Sequence, residues 1–137
     1  MPPNFIHQYN VLYIKATADI QLAKMAISAG DKDIDDATIV FHLQQAAEKP
    51  LKSLMAFNGI HFEKVHDLTL LIKECADNGI SLPEYSSRFS ILNPFAILGR
   101  YGIISSGEID LVEWLKILTD FKRHVGKILT KVLGLWF

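Results

Sequence analysis

The chain has one cysteine, almost no net charge and no long hydrophobic run, and each of these features excludes a class of protein. Because Cys75 is the only cysteine among 137 residues, no intrachain disulfide can form and a zinc site built from cysteines is excluded. The formal net charge of −1 gives no overall positive field. Nucleic-acid binding is therefore not indicated by charge.

No segment of the sequence predicts contact with a membrane. The N-terminal residues Met1-Pro2-Pro3-Asn4 do not show the basic and then apolar layout of a signal peptide. No apolar run reaches the length of about 20 residues that a membrane-spanning helix needs. We therefore expect a cytoplasmic protein.

The sequence motifs of common enzymes and metal sites are missing as well. The glycines of Gly99-Arg100-Tyr101-Gly102 do not have the spacing of a phosphate-binding or dinucleotide-binding loop. No serine lies in a nucleophile elbow. None of the five histidines has another histidine three or four residues away, which is the spacing that places two metal ligands on one helical face. We predict no catalytic residue, no metal site and no cofactor.

What the sequence contains in abundance is helical periodicity. Apolar residues recur at steps of three and four along nearly every long segment, and no alternating strand pattern persists. The predicted helices cover approximately residues 8–28, 34–58, 67–77, 85–99 and 105–133. The expected fold class is all-α: one domain over residues 1–137, folded as an antiparallel up-and-down bundle of four to five helices.

Three local signals refine these helices. Pro50 lies inside the second helix and predicts a kink, because proline removes one backbone hydrogen bond. Pro94 predicts a break or a kink in the fourth helix, since the residue before a proline is biased away from helical angles. Ser105-x-x-Glu108 has the pattern of a capping box and is predicted to open the last helix.

The first and last helices each carry two apolar stripes, which indicates burial on two sides. In the first helix the second stripe consists of Val11, Ile14, Ala18 and Met25. In the last helix one stripe is Leu111, Leu115, Leu118, Val125, Leu129, Val132 and Trp136, and the other is Trp114, Ile117, Phe121, Ile128 and Leu135. Either the same chain covers both of these stripes, or the terminal helices form a homodimer. The apolar end at residues 133–137 favours the homodimer.

The most informative segment is residues 41–49, which read Phe-His-Leu-Gln-Gln-Ala-Ala-Glu-Lys. His42, Gln45 and Lys49 form a polar stripe at steps of three and four beside an apolar one. Polar side chains are expensive to bury unless they are paired. The stripe therefore either fixes the interior of the bundle or faces a ligand.

Together with three motifs downstream, this segment resembles the HEPN family, whose name stands for higher eukaryotes and prokaryotes nucleotide-binding. The downstream motifs are His66-Asp67-Leu68, Leu92-Asn93-Pro94 and Arg100-Tyr101, and the resemblance extends back to Tyr13, Ala16 and Asp19-Ile20. It implies a helical bundle that is often dimeric. Its small stand-alone prokaryotic members are frequently encoded beside a minimal nucleotidyltransferase, in two-component systems of the toxin–antitoxin type.

Some HEPN proteins are ribonucleases that carry an arginine and a histidine a few residues apart at a dimer cleft. This chain lacks that pair, because Arg88 and Arg100 have no histidine at the required distance and Arg123 is adjacent to His124. Gly102 also replaces a proline that often follows Arg-Tyr in the family. The missing pair and the near-zero net charge favour a ligand-binding or a structural protein over one that cleaves RNA, and the change at Gly102 argues against a role for that loop.

The resemblance implies a nucleotide-binding site, for which the candidate residues are His42, Gln45, Lys49, His66, Asp67, Arg100 and Tyr101. Lys49 and Arg100 would bind phosphate, a histidine would contact the base, and Gln45 would read a base edge. The alternative is an internal network that fixes helix register. In that case Arg100 pairs with Glu48 or Asp67, and Asp67 caps the third helix.

Three functions follow from these observations. The favoured one is a non-catalytic HEPN-like domain that binds a nucleotide, pairs with a nucleotidyltransferase, or does both. The second is a ribonuclease or toxin component that uses a site other than the usual Arg/His pair. The third is a structural, homodimeric interaction protein without a ligand.

Overall fold

The computed structural model describes residues 7–62, 65–96 and 109–133, with the backbone alone for 131–133. Its elements are α1 (Gln8–Ala29), α2 (Asp36–Phe57), α3 (Leu68–Asp77), a 3₁₀ helix (Glu84–Ala96) and α4 (Leu111–Leu133). The described residues contain no strand, and the predicted all-α helical bundle is confirmed. Within the same residues, no helix combines the length and apolar character needed to cross a membrane.

Helix α2 is the central helix of the bundle. It contacts α1, α3, the 3₁₀ helix and α4, and its residues Val40, Leu43, Leu51 and Leu54 are fully buried. Burying an aliphatic side chain of this size contributes about 1.5–3 kcal/mol relative to leaving it exposed. Because neighbours surround α2, several of its polar residues are also removed from water.

Two short-range contacts fix the connection between α1 and α2. Gly30 ends α1 in the left-handed backbone region, at φ 60°, where glycine carries no steric penalty. The Asp35 carboxylate accepts a hydrogen bond from the backbone N of Thr38 at 2.7 Å and so caps α2. The acidic stretch between the helices therefore lies at the positive end of α2.

The start of α4 differs from its prediction. Its first helical residue is Leu111, and the Asp110 carboxylate accepts from the backbone N of Glu113 at 3.0 Å. Residues 109 and 110 are not helical. The prediction that the pattern Ser105-x-x-Glu108 opens the last helix is therefore wrong. Ser105 and Glu108 themselves lie outside the described residues. Aspartate is as strong a capping residue as serine, and Asp110 is the one that takes this role.

Two prolines lie inside helical elements without ending them. Helix α2 is continuous through Pro50, which is buried. Pro94 lies inside the 3₁₀ helix, which runs to Ala96 where the sequence predicted an α-helix with a break at the proline. The side chain of Asn93 bonds to the start of α3. This contact holds the 3₁₀ helix against α3.

The core face of α4 draws on both of its predicted stripes. The residues buried on this helix are Trp114, Leu118, Phe121, Val125 and Leu129. They pack against the rest of the same chain, so these side chains are not available to a second copy. Val132 and residues 133–137, which favoured a homodimer through this helix, lie outside the residues whose side chains are described.

Helix α1 is covered on one side only. Its buried apolar residues are Tyr13, Ala16, Ile20 and Ala23. The second predicted stripe is exposed in the single chain: Val11 is 41% exposed, Ile14 61% and Met25 58%. The prediction that this helix is buried on two sides is therefore wrong for the monomer, because no described element packs over the outer stripe.

Candidate functional site

A buried carboxylate between α1 and α2 organises the first half of the site. Asp19 on α1 is only 6% exposed. Its Oδ1 lies 2.9 Å from Nδ1 of His42, and its Oδ2 accepts a hydrogen bond from Nζ of Lys49 at 2.6 Å. His42 and Lys49 are two turns apart on α2, so one carboxylate joins both ends of the predicted polar stripe. We call these three residues the Asp19 cluster.

A second buried carboxylate organises the neighbouring face of α2. Glu48 is 3% exposed and accepts hydrogen bonds from Nε2 of Gln44 at 3.0 Å and from Nζ of Lys52 at 3.1 Å. Nδ1 of His66, just before α3, lies 3.1 Å from its Oε1. Gln45 donates from Nε2 to Oε1 of Gln44 at 2.6 Å. These five residues form the Glu48 cluster.

The two clusters lie side by side along α2, and together they form what we call the polar seam. Gln45 connects them spatially, since it stands between His42 and Lys49 along the helix while its amide bonds to the Glu48 cluster. Moving a carboxylate out of water costs several kcal/mol unless donors surround it. Asp19 has two such partners and Glu48 has three. The seam is therefore a well-paired polar network inside the bundle.

The seam reaches the surface through its basic and imidazole side chains. The side chain of His66 is 49% exposed, that of His42 31% and that of Lys49 22%. The carboxylates of Asp19 and Glu48 lie below them, at 8% and 4%. A ligand that approaches the bundle would therefore meet positive and imidazole groups first.

Asp67 caps the helix that follows it. Its carboxylate accepts from the backbone N of Thr69 at 2.9 Å and so caps α3, as the alternative interpretation predicted. It also accepts from Nδ2 of Asn93 at 3.1 Å, while Oδ1 of Asn93 accepts from the backbone N of Leu68 at 2.8 Å. These bonds tie the start of α3 to the 3₁₀ helix.

The structure thus locates five of the seven candidate residues. Four of them, His42, Gln45, Lys49 and His66, belong to the polar seam, and Asp67 is adjacent to His66 in the chain. Arg100 and Tyr101 lie outside the described residues. The use of these side chains for nucleotide binding stays a prediction.

Sequence reasoning did not identify the acidic centres of the seam as site residues. Asp19 occupies a core position of α1 between Ala16 and Ala23, and Gln44, Glu48 and Lys52 recur at steps of four on α2. Charged residues at core positions are rarely buried unless they are paired. Opposite charges on two predicted core faces are the signal that could have indicated this network.

Groups suited to other chemistry are sparse in the described parts of the chain. No set of three or more His, Cys, Asp or Glu residues there could hold a metal ion. Arg88, an arginine considered for a ribonuclease pair, donates to Oε1 of Glu113 at 2.9 Å and lies 5.2 Å from the ring centroid of Trp114. The polar seam is therefore the strongest candidate site.

Comparison with known proteins supplies the family. No curated protein and no solved structure shows a significant match to the chain. The family model described as the HEPN domain matches residues 9–128, a range that contains every helix-borne residue of the seam. Since this match covers most of the sequence, the chain belongs to the HEPN domain family.

Proposed function

We propose that this chain is a non-catalytic HEPN domain that binds a nucleotide at the outer edge of the polar seam. The observation that carries the proposal is the position of His42, Lys49 and His66. Buried carboxylates hold all three side chains in place, yet each side chain is partly exposed. A site whose donors are already oriented loses less conformational entropy when a ligand binds.

The contacts of the seam leave suitable groups for the two halves of a nucleotide. The ammonium of Lys49 has three N–H donors, and its pairing with Asp19 engages one of them. The carboxylates hold Nδ1 of His42 and of His66, so Nε2 is the ring atom that remains for a ligand. Lys49 would contact phosphate, and the half-exposed ring of His66 would stack on the base.

The same contacts limit the affinity. Asp19 neutralises much of the positive charge that Lys49 offers to a phosphate, and Glu48 does the same for Lys52. Like charges repel, so a phosphate close to these carboxylates gains less than it would beside a free lysine. We therefore expect weak binding, with dissociation constants on the order of 0.1–1 mM.

The absence of the Arg/His pair supports a non-catalytic role. Arg88 is held by Glu113 and Trp114, and Arg123 is adjacent to His124 in the sequence. Neither arrangement resembles the spaced pair of HEPN ribonucleases. Membership of the family supports one further part of the proposal, namely that the domain works together with a minimal nucleotidyltransferase. Co-purification with a nucleotidyltransferase encoded beside this chain tests that part separately.

Calorimetric titration with adenine and guanine nucleotides, together with thermal shift, tests ligand binding directly. We expect measurable heat for the native protein and at least about a tenfold loss of affinity, near 1.4 kcal/mol, for His66→Ala. This variant leaves Glu48 paired with Gln44 and Lys52, so the fold should persist. Lys73→Ala is the matched control, because Lys73 pairs with Asp77 on the exposed face of α3, outside the seam.

One observation favours a second function, in which the seam is purely structural. Both buried carboxylates are paired with donors from the same chain, so the network needs no ligand to be stable. Absence of heat and of any thermal shift at millimolar nucleotide would contradict nucleotide binding. The domain would then be a structural interaction protein.

A further inference from the structure

The outer face of α1 carries a continuous apolar stripe that nothing in the described single chain covers. It consists of Val11, Ile14, Ala18, Leu22 and Met25, and we call it the α1 stripe. The four large side chains are 41%, 61%, 49% and 58% exposed in chain order. The other large exposed apolar residues on helical elements, Leu70, Ile91 and Val112, lie one each on α3, the 3₁₀ helix and α4. Single exposed residues are ordinary, but a continuous stripe marks an interaction surface.

The spacing of the α1 stripe is the same in both directions. Its steps are three, four, four and three residues, with Ala18 at the centre. A helix with such a pattern is complementary to a second copy of itself that runs antiparallel, because a two-fold axis then places each residue opposite its mirror position. Val11 would face Met25, and Ile14 would face Leu22. Ala18 would face its own copy, and its small side chain lets the two helices approach closely.

From this symmetry we propose that α1 pairs with α1 of a second copy of this chain, antiparallel and centred on Ala18. The interface differs from the homodimer that the sequence predicted through the last helix, and its argument does not rest on the proposed nucleotide binding. The described core residues of α4 are buried within one chain. The α1 stripe, in contrast, is exposed in the single chain.

The charges around the stripe complement each other in this arrangement. Antiparallel helices bring the negative C-terminal end of one beside the positive N-terminal end of the other. The loop after α1 carries exposed Asp31 and Asp33, whereas the first turn of α1 contains no acidic residue. Each acidic loop would therefore lie near the positive end of the partner helix. The symmetry also places Lys15 opposite Gln21, so no like charges face each other.

The area of the stripe indicates a weak dimer. Four side chains at these exposures present on the order of 400 Å² of apolar surface, which is the size of a functional patch on a monomer. A stable complex buries about 800 Å² per partner, so flanking contacts must contribute. A mainly apolar groove of about 380 Å³ adjoins the stripe, and its lining includes Leu22, Met25, Ile34, Ile39 and His42 of the polar seam. The N-terminal turns of the partner's α1 would reach this groove.

A single-cysteine cross-linking experiment on the full chain tests the arrangement. Ala18→Cys places one thiol at the two-fold axis, where two copies come within the separation of about 7 Å that a disulfide tolerates. Cys75 is fully buried and does not compete. Ser28→Cys is the matched control, because Ser28 is exposed on the same helix but the symmetry separates its two copies by roughly 30 Å. We expect disulfide-linked dimers from the first variant and none from the second.

Sedimentation equilibrium up to millimolar protein measures the dimer without cross-links. We expect concentration-dependent dimers for the native chain, and at least a tenfold weaker association for Leu22→Glu. Leu70→Glu is the control for a charge at an equally exposed apolar position, since Leu70 is 51% exposed on α3, and it should associate like the native chain. A monomer at all concentrations, equal cross-linking of both cysteine variants, or equal weakening by both glutamates would overturn the proposal.

Discussion

At the scale of single residues, the two buried carboxylates decide how α2 can pack. Asp19 and Glu48 each stand where an apolar residue would be expected, and each is compensated by several donors. Such a network penalises any helix register that separates a carboxylate from its partners. We therefore attribute the relative positions of α1, α2 and the start of α3 to these pairs as well as to the apolar core.

Replacing Glu48 by alanine should destabilise the protein strongly. The change leaves Lys52, which is 8% exposed, without its buried partner, and removing one member of a buried pair costs about 3–5 kcal/mol. Urea denaturation measures the free energy of unfolding. Lys73→Ala breaks an ion pair whose side chains are 68% and 54% exposed, and it should leave the stability nearly unchanged. Equal effects of the two variants would show that the Glu48 cluster does not stabilise the fold.

The sequence predicted one side of these pairs and not the other. His42, Gln45 and Lys49 share a stripe because helical spacing alone places them there. Asp19, the partner of His42 and Lys49, is on another helix. Glu48 on α2 pairs with His66, which precedes a third helix. Helical periodicity contains no information on how two helices align, so the pairing could be known only from the tertiary structure.

At the scale of elements, the contact between Tyr13 of α1 and helix α4 depends on one glycine. Gly126 on α4 lies against the side chain of Tyr13 on α1, and a Cβ at this position would collide with the tyrosine hydroxyl. Nζ of Lys122 lies over the ring of Tyr13, 5.8 Å from the ring centroid. Gly126 therefore lets the tyrosine pack between the two helices.

Gly126→Ala should destabilise the native chain by about 1–3 kcal/mol, because overpacking forces the helices apart. In the background of Tyr13→Phe the colliding hydroxyl is gone. There the added Cβ still lies 3.1 Å from the ring carbon Cζ. This tight contact offsets the gain of about 1 kcal/mol that alanine has over glycine in a helix, so the same change should be close to neutral. Thermal and urea denaturation of the four proteins in this cycle measure the coupling. An equal loss in both backgrounds would contradict the contact as its cause.

The predicted ends of the helices agree with the structure where backbone conformation and capping set them. Gly30 and Asp35 bound α1 and α2 near their predicted ends, since backbone conformation and capping are local properties. The start of α4 and the 3₁₀ winding around Pro94 did not follow the sequence prediction. Asp110 caps the start of α4, and the segment around Pro94 is bonded to α3 through Asn93.

At the scale of the whole molecule, the burial of one thiol and two phenol groups makes the stability of the fold decrease at alkaline pH. Burial raises the pKa of Cys75 from 9.0 to about 11, with a smaller effect from Glu74. Burial also raises the pKa of Tyr13 and, together with the hydrogen bond to Asp120, that of Tyr85. A folded-state pKa above the unfolded one means that the stability is complete below the unfolded pKa and is lost as pH rises towards the folded one.

The free energy of unfolding should therefore decline between pH 9.0 and about 11 as Cys75 ionises in the unfolded chain. Urea denaturation at a series of pH values measures the decline. In Cys75→Ala the decline in this window should be smaller, and what remains belongs to the tyrosines. A pH profile that this substitution leaves unchanged would exclude the thiol as a source.

The sequence by itself determined the all-α class, most helix positions, the family and the polar stripe of α2, because periodicity, capping and motif order are encoded along the chain. Only the tertiary structure decided which apolar stripes are covered: the described core of α4 packs within one chain, while the α1 stripe stays exposed. It also decided that Asp19 and Glu48 hold the basic side chains of the seam. The physical reason is that burial and charge pairing depend on the alignment of separate helices, which residues distant in sequence determine together.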